Sequence, residues 1–271
     1  MIKINGHSGF GVELIDENTI RKVSTGPGAI RLHKQISKQK IFHDSLQTYY
    51  IRSPEILAEK SSNNCYSADM EYIAGKDFVQ FLIDSNRAEI NQFMGIIADY
   101  ISSNIKNSVL SDVSMKIIEK AHQLEMNGVD QRYTQLVISL SAQPIIVPVG
   151  PCHGDLTFSN MLFKGPLIYF IDFLDSFVES PIQDLVKLRQ DTWFSWSLEM
   201  YKPEYDKTKI AIIFRYLDNM IQNMFFSYEW YREHYFLFQL LNMMRIIPYC
   251  KESNIRKIVT NNINIMLAQR Q

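Results

Sequence analysis

Cysteine is scarce in this 271-residue chain, confined to Cys65, Cys152 and Cys250. Three thiols, odd in number and far apart, exclude a disulfide framework or a cysteine-built zinc site, and they suit a reducing cytoplasm. No apolar run is long enough to span a bilayer, and the N-terminus lacks a signal-peptide apolar region, so neither membrane insertion nor secretion is expected. Charge of one sign is not in excess either. With 28 Lys and Arg against 29 Asp and Glu, the net charge is -1, and the basic footprint of a nucleic-acid binder is missing. Repeats and low-complexity linkers are also absent. What remains is a composition 46% hydrophobic and 21% charged, on a length that suits one large domain or two small lobes sharing a cleft.

One stretch concentrates the chemistry: Cys152-His153-Gly154-Asp155-Leu156-Thr157-Phe158-Ser159-Asn160, followed by Leu167-Ile168-Tyr169-Phe170-Ile171-Asp172-Phe173. Met161-Leu162-Phe163 and Leu167 to Ile171 read as two short strands turning at Lys164-Gly165-Pro166. Such a hairpin brings Asn160, before its first strand, close to Asp172, after its second. Asp155 falls on the loop just before it. Carboxylate and amide oxygens are hard ligands suited to Mg²⁺, which usually keeps waters and substrate phosphates as well.

The N-terminal residues supply a second set. Ile2-Lys3-Ile4-Asn5, Val12-Glu13-Leu14-Ile15 and Thr19-Ile20-Arg21-Lys22-Val23 read as strands, with Gly6-His7-Ser8-Gly9-Phe10-Gly11 between the first two. Glycines there let backbone N–H groups approach a phosphate closely, and a lysine on the third strand can reach the same phosphates.

His153, Asp155, Asn160 and Asp172 follow the H-x-D-x-x-x-x-N…D order of kinase catalytic loops. With Gly154 where protein kinases carry Arg, the stretch resembles the aminoglycoside phosphotransferase and choline kinase-like family of small-molecule kinases. The resemblance implies an α+β, bilobal, protein-kinase-like fold: a small antiparallel-sheet lobe over residues 1–74 that binds nucleotide, and a larger, mostly helical lobe over 75–271 carrying the catalytic loop and the acceptor pocket. It also implies ATP and Mg²⁺ as cofactors and a small-molecule hydroxyl as acceptor. Asp155 becomes the catalytic base, and Asn160 and Asp172 the metal ligands. Ser8, Gly9, Gly11 and Lys22 become nucleotide contacts, and Glu71 to Ile73 resembles the hinge that reads adenine through its backbone. The run Ile171 to Phe177 looks most like bacterial members associated with surface polysaccharides, which points to a sugar or polyol acceptor.

Two departures from the kinase pattern stand out. Ala29 to His43 reads as a helix but contains no carboxylate to pair with Lys22, leaving Gln35 and Gln39 as the nearest substitutes. Thr157 occupies the position where protein kinases place a lysine. Both departures favour a nucleotide-binding pseudokinase as the rival reading. A protein Ser/Thr kinase is a third, weakened by Gly154 and by the absence of an A-P-E element. Further on, Asp77 to about Ala142 and Lys187 to Gln271 read as helical, the latter crowded with aromatics that suit a helical core or an ammonium cage. Asp184, in Pro181-Ile182-Gln183-Asp184, reads as a helix-start residue stabilising orphan N–H groups, and Asp175 as a further carboxylate near the metal.

Overall fold

The computed structural model describes residues 2–4, 10–250 and 252–269. The chain forms two compact units, Met1–Gln92 with Phe158–Asp175, and Phe93–Thr157 with Ser176–Gln271. Together they make the α+β composition expected, one unit built on an antiparallel sheet and the other largely helical.

In the first unit β1 (Ile2–Ile4), β2 (Gly11–Leu14), β3 (Thr19–Thr25), β5 (Ile56–Ser62) and β6 (Cys65–Glu71) form an antiparallel sheet in the order β1-β2-β3-β6-β5. Alternation in β6 puts Tyr66, Ala68 and Met70 on the buried face, as a period of two requires. That face packs on Leu32 and Ile36 of α1 (Pro27–Ser45). The helix opens on a proline, whose missing N–H is no loss in a first turn.

The expected hairpin is present as β9 (Met161–Lys164) and β10 (Leu167–Phe170), antiparallel, with Lys164 opposite Leu167. Its two-residue turn has Gly165 at φ 59, the positive φ that hairpin turns of this length reserve for glycine. Unforeseen is β4 (Ile51–Arg52), which pairs parallel to β10 and makes a three-stranded sheet. Phe42 of α1 packs on Phe170 and Phe173, with ring centroids 5.9 and 4.9 Å away. After β6 the chain reaches α2 (Phe78–Asp84), and Lys76 exchanges two backbone hydrogen bonds with Phe163, at 2.8 and 2.9 Å. Gly75 lies so close that a Cβ there would sit 2.9 Å from the Phe163 carbonyl oxygen. Gly75→Ala is therefore expected to destabilise the protein by about 1–3 kcal/mol, because backbone cannot yield as a side-chain tip can; urea unfolding measures it.

The second unit takes in most of α3 (Arg87–Lys106), then β7 (Val109–Asp112), α4 (Ser114–Met126), α5 (Gln131–Leu140) and β8 (Ile146–Val149), followed by α6 (Pro181–Phe194), α7 (Lys207–Phe225), α8 (Glu229–Met244) and α9 (Ser253–Ala268). The helical reading of 77 to about 142 is corrected at β7, which pairs antiparallel with β8. Asp112 then ends that strand by accepting from the N–H groups of Ser114 and Ile145 at 2.9 and 3.1 Å. Helix α6 is buried on nearly every side, as befits the helix at the centre of a helical unit. Ser180 caps it by accepting from Ile182 N–H.

Candidate active site

Within the first unit, the open end of the β9–β10 hairpin collects three of the expected residues. Asn160 ends a short 3-10 turn, Phe158–Asn160, anchored by the buried ring of Phe158. The N–H of Ile171 donates to the carbonyl of Asn160 at 3.0 Å, so backbone geometry alone holds Asn160 beside the approach to Asp172. Asp172 has φ 60, one of two non-glycine residues among those described with positive φ. An aspartate tolerates this conformation at a cost of about 1 kcal/mol, and the conformation turns its side chain back toward β3.

There it forms an ion pair with the ammonium of Lys22. Lys22 is buried, and desolvation lowers its pKa to about 8, a trend that the Asp172 carboxylate opposes. The glutamines proposed as substitutes for a helix glutamate do not fill that role. The side-chain amide of Gln39 donates to the carbonyl of Pro54 at 2.8 Å, and no hydrogen bond joins Gln35 to Lys22. Asp172 is the counter-charge instead. Asp175 pairs with Lys34 of α1 at 2.9 Å, both half exposed, and Lys38 donates to the carbonyl of Leu174 at 2.8 Å. These contacts tie the loop after Asp172 to α1.

Among the proposed nucleotide contacts, Ser8 and Gly9 lie outside the described residues. Gly11 begins β2 opposite Val23. Glu71 ends β6 and gives its N–H to Glu55, Tyr72 gives its N–H to Asn18, and the N–H of Ile73 has no partner among the described residues. An unpaired backbone donor there leaves room for one acceptor on a ligand.

The second unit carries Asp155 on a loop fixed from below. His153 is fully buried, and its Nδ1 accepts from the N–H of Asp155 at 3.2 Å, so it braces the loop. Gly154 has φ 87, a conformation that suits glycine. Asp184, fully buried in the first turn of α6, accepts from the N–H groups of both His153 and Gly154 at 2.8 Å. Asp184 lies in the first turn of α6, as expected, but Ser180 supplies the cap and Asp184 serves N–H groups of the His153–Gly154 loop rather than of its own helix end. Asp184→Ala would strand two buried donors and remove two charge-assisted bonds. A loss of roughly 3–5 kcal/mol in denaturant unfolding is expected.

Lys187, missed in the sequence, lies one turn beyond Asp184 on α6 and only 7% exposed. Its ammonium is 3.0 Å from Asp155 Oδ1. The spacing held a signal, because residues three apart on a helix share a face, and the face of Asp184 is the one turned to the loop. Burial works to raise the pKa of Asp155, but Lys187 outweighs it, with His153 and Arg245 adding to the effect, so the carboxyl lies below its usual value. The pair accordingly stabilises the fold above the unfolded-state pKa of Asp155, and that contribution fades as pH falls through the lower folded-state value.

The C-terminal aromatics mostly build core: Phe225, Tyr231 and Phe238 are buried. Trp193 and Tyr235 instead face the guanidinium of Arg189, at 4.6 and 4.4 Å from their ring centroids, and Asp218 holds that guanidinium with hydrogen bonds of 2.8 and 3.1 Å. These rings already bind a cation belonging to the chain, so they do not form an ammonium cage.

Residues 120–215 match the model of the phosphotransferase enzyme family. No curated protein matches the sequence. Among solved structures, a thermostable mutant of aminoglycoside phosphotransferase APH(4)-Ia, in ternary complex with ADP and hygromycin B, is 10% identical with a TM-score of 0.67, over 98% of this chain and 92% of that one. The GDP and kanamycin complex of APH(2")-IIIa is 11% identical with a TM-score of 0.65, over 100% and 93%. APH(3'')-Id from Streptomyces rimosus is 12% identical with a TM-score of 0.55, over 90% and 92%. In fold along nearly its whole length, and in sequence through the segment that holds Asp155, Asn160, Asp172 and Lys187, the chain is similar to the aminoglycoside phosphotransferases and the phosphotransferase enzyme family.

Proposed function

We propose that this protein is an ATP-dependent phosphotransferase that moves the γ-phosphoryl group to a hydroxyl of a small metabolite, a sugar, polyol or amino alcohol. The observation that carries the reading is the hairpin end, where the Asn160 carbonyl is bonded to the N–H of Ile171, next to Asp172, and Asp172 holds the buried ammonium of Lys22. A carboxylate and an amide oxygen fit Mg²⁺, a hard cation that takes one or two protein ligands and completes its shell with waters and phosphates. Three folds with matching architecture were solved with ADP, AMP-PNP or GDP, each also with an aminoglycoside.

In this reading residues 1–74 serve the nucleotide and residues 75–271 the acceptor. Lys22 leaves Asp172 for the phosphates, with Ser8, Gly9, Gly11 and the hinge at Glu71 to Ile73 holding the rest of ATP. Asn160 and Asp172 hold Mg²⁺, which when bound neutralises charge on the phosphates. Asp155 orients the acceptor hydroxyl and takes its proton. Positioning and charge stabilisation do most of the work. The fit of the chain to the cytoplasm rests on its having only three cysteines, odd in number and far apart in sequence, and a role in bacterial surface-polysaccharide metabolism on the Ile171–Phe177 run.

The test is ADP release from Mg·ATP with pooled sugars, polyols, amino alcohols and aminoglycosides. Release that depends on one pool supports the reading. Intact ATP binding with no release on any pool would favour a pseudokinase, the alternative that the closed Lys22–Asp172 pair favours, since no glutamate on α1 draws Lys22 away.

A further inference from the structure

The loop from His153 to Asn160 contains no lysine or arginine, yet its carboxylate is not without a cation. Lys187 reaches it from α6 at 3.0 Å, with its side chain 9% exposed and that of Asp155 29% exposed. The geometry of the contact is fixed at both ends. Asp184 pins the backbone of His153 and Gly154 to the same helix face from which Lys187 projects, and the N–H of Thr157 donates to the carbonyl of Asp155 at 2.7 Å. Loop and lysine therefore move as one piece.

We propose that Lys187 is the positioning residue of the catalytic base: by engaging Asp155 Oδ1 it fixes the carboxylate so that Oδ2 is turned to the acceptor hydroxyl. The inference rests on the kinase reading. In the step it serves, the acceptor oxygen forms a bond to Pγ, the bond from Pγ to the ADP oxygen breaks, and the hydroxyl proton passes to Asp155 Oδ2. From there it is released to water after the product leaves. A neighbouring cation makes Asp155 a weaker base but keeps it charged and oriented. In a loose phosphoryl-transfer transition state orientation matters more than basicity, because little negative charge is withdrawn from the attacking oxygen until late.

The experiment compares Lys187→Met, close in length and apolar, with Lys187→Arg and with the wild type, after thermal unfolding has shown which variants are folded. Expected for Lys187→Met is a fall in kcat of about 10- to 100-fold with KM for Mg·ATP within about twofold, the signature of lost orientation rather than lost binding. Lys187→Arg should recover a large part of that loss. The acid limb of kcat against pH should also move to higher pH in Lys187→Met, since the nearest cation is gone and Arg245 is the fixed charge left acting on Asp155, the His153 imidazole being neutral while its Nδ1 accepts from Asp155 N–H. A folded Lys187→Met with wild-type kcat and an unmoved acid limb would overturn the inference while leaving the kinase reading in place. A wild type that releases no ADP on any acceptor would overturn the kinase reading and this role with it. Should Lys187→Met not fold, Lys187→Arg decides: near wild-type kcat supports a role for the cation, and a folded Lys187→Arg as slow as Asp155→Asn opposes it.

Discussion

Asp155→Asn is expected to lower turnover by about 10³-fold while leaving Mg·ATP affinity within about twofold of wild type. The substitution keeps the size of the side chain and one oxygen near Lys187, but the amide cannot take a proton. Nucleotide affinity is spared because Asp155 belongs to the acceptor side of the proposed reaction. The same change leaves the Lys187 ammonium buried without its counter-charge, so some stability is lost as well. That secondary effect is separable. In the double variant with Lys187→Met the buried charge is gone, and stability should return toward wild type while turnover does not. Unchanged turnover in Asp155→Asn would remove Asp155 as the base.

Asp172→Ala is expected to weaken metal-dependent binding of ATP by at least about 100-fold, the size of losing one oxygen ligand and its charge. Isothermal titration with and without Mg²⁺ reads it directly. Three effects overlap in this variant: loss of the ligand, loss of the partner of Lys22, and placement of alanine at φ 60. Asp172→Asn separates strain from the other two, since asparagine tolerates the left-handed region while losing the charge that serves both metal and Lys22. If Asp172→Asn unfolds at nearly the wild-type urea concentration yet has lost metal-dependent binding, the loss belongs to the ligand and not to strain. Metal-dependent binding as tight as wild type in Asp172→Ala would take Asp172 out of the metal site.

The parts legible in the sequence were those whose geometry is local. The hairpin could be read because Lys164-Gly165-Pro166 sits between two apolar runs and the turn needs only its own residues. The adjacency of Asn160 and Asp172 then followed from strand pairing. What escaped the reading depends on partners far along the chain. Asp184 looks like a cap until the donors it binds are seen to lie 31 and 30 residues earlier. Lys187 looks like one more lysine on a helix. The carboxylate that answers Lys22 comes from 150 residues downstream, whereas the neighbouring helix offers only glutamines on the facing turns. Strand β4 is two residues long and carries no periodicity to read. Val109-Leu110-Ser111-Asp112 reads as part of a helical stretch because its faces, largely exposed on both sides, show no alternation; its pairing with β8 decides its state.

The parallel pairing of β4 with β10 also bears on how this chain is born. Ile51 and Arg52 leave the ribosome long before Ile168 and Tyr169, their partners. At elongation rates of about 5–20 residues per second, the delay is on the order of 10 s. During that interval the nascent first unit lacks its hairpin, Phe42 has neither Phe170 nor Phe173 to pack on, and the β4 backbone is an unpaired edge of the kind that recruits foreign strands. Co-translational completion of the first unit must wait until residue 175 has emerged, a vulnerability of synthesis that the finished protein does not display.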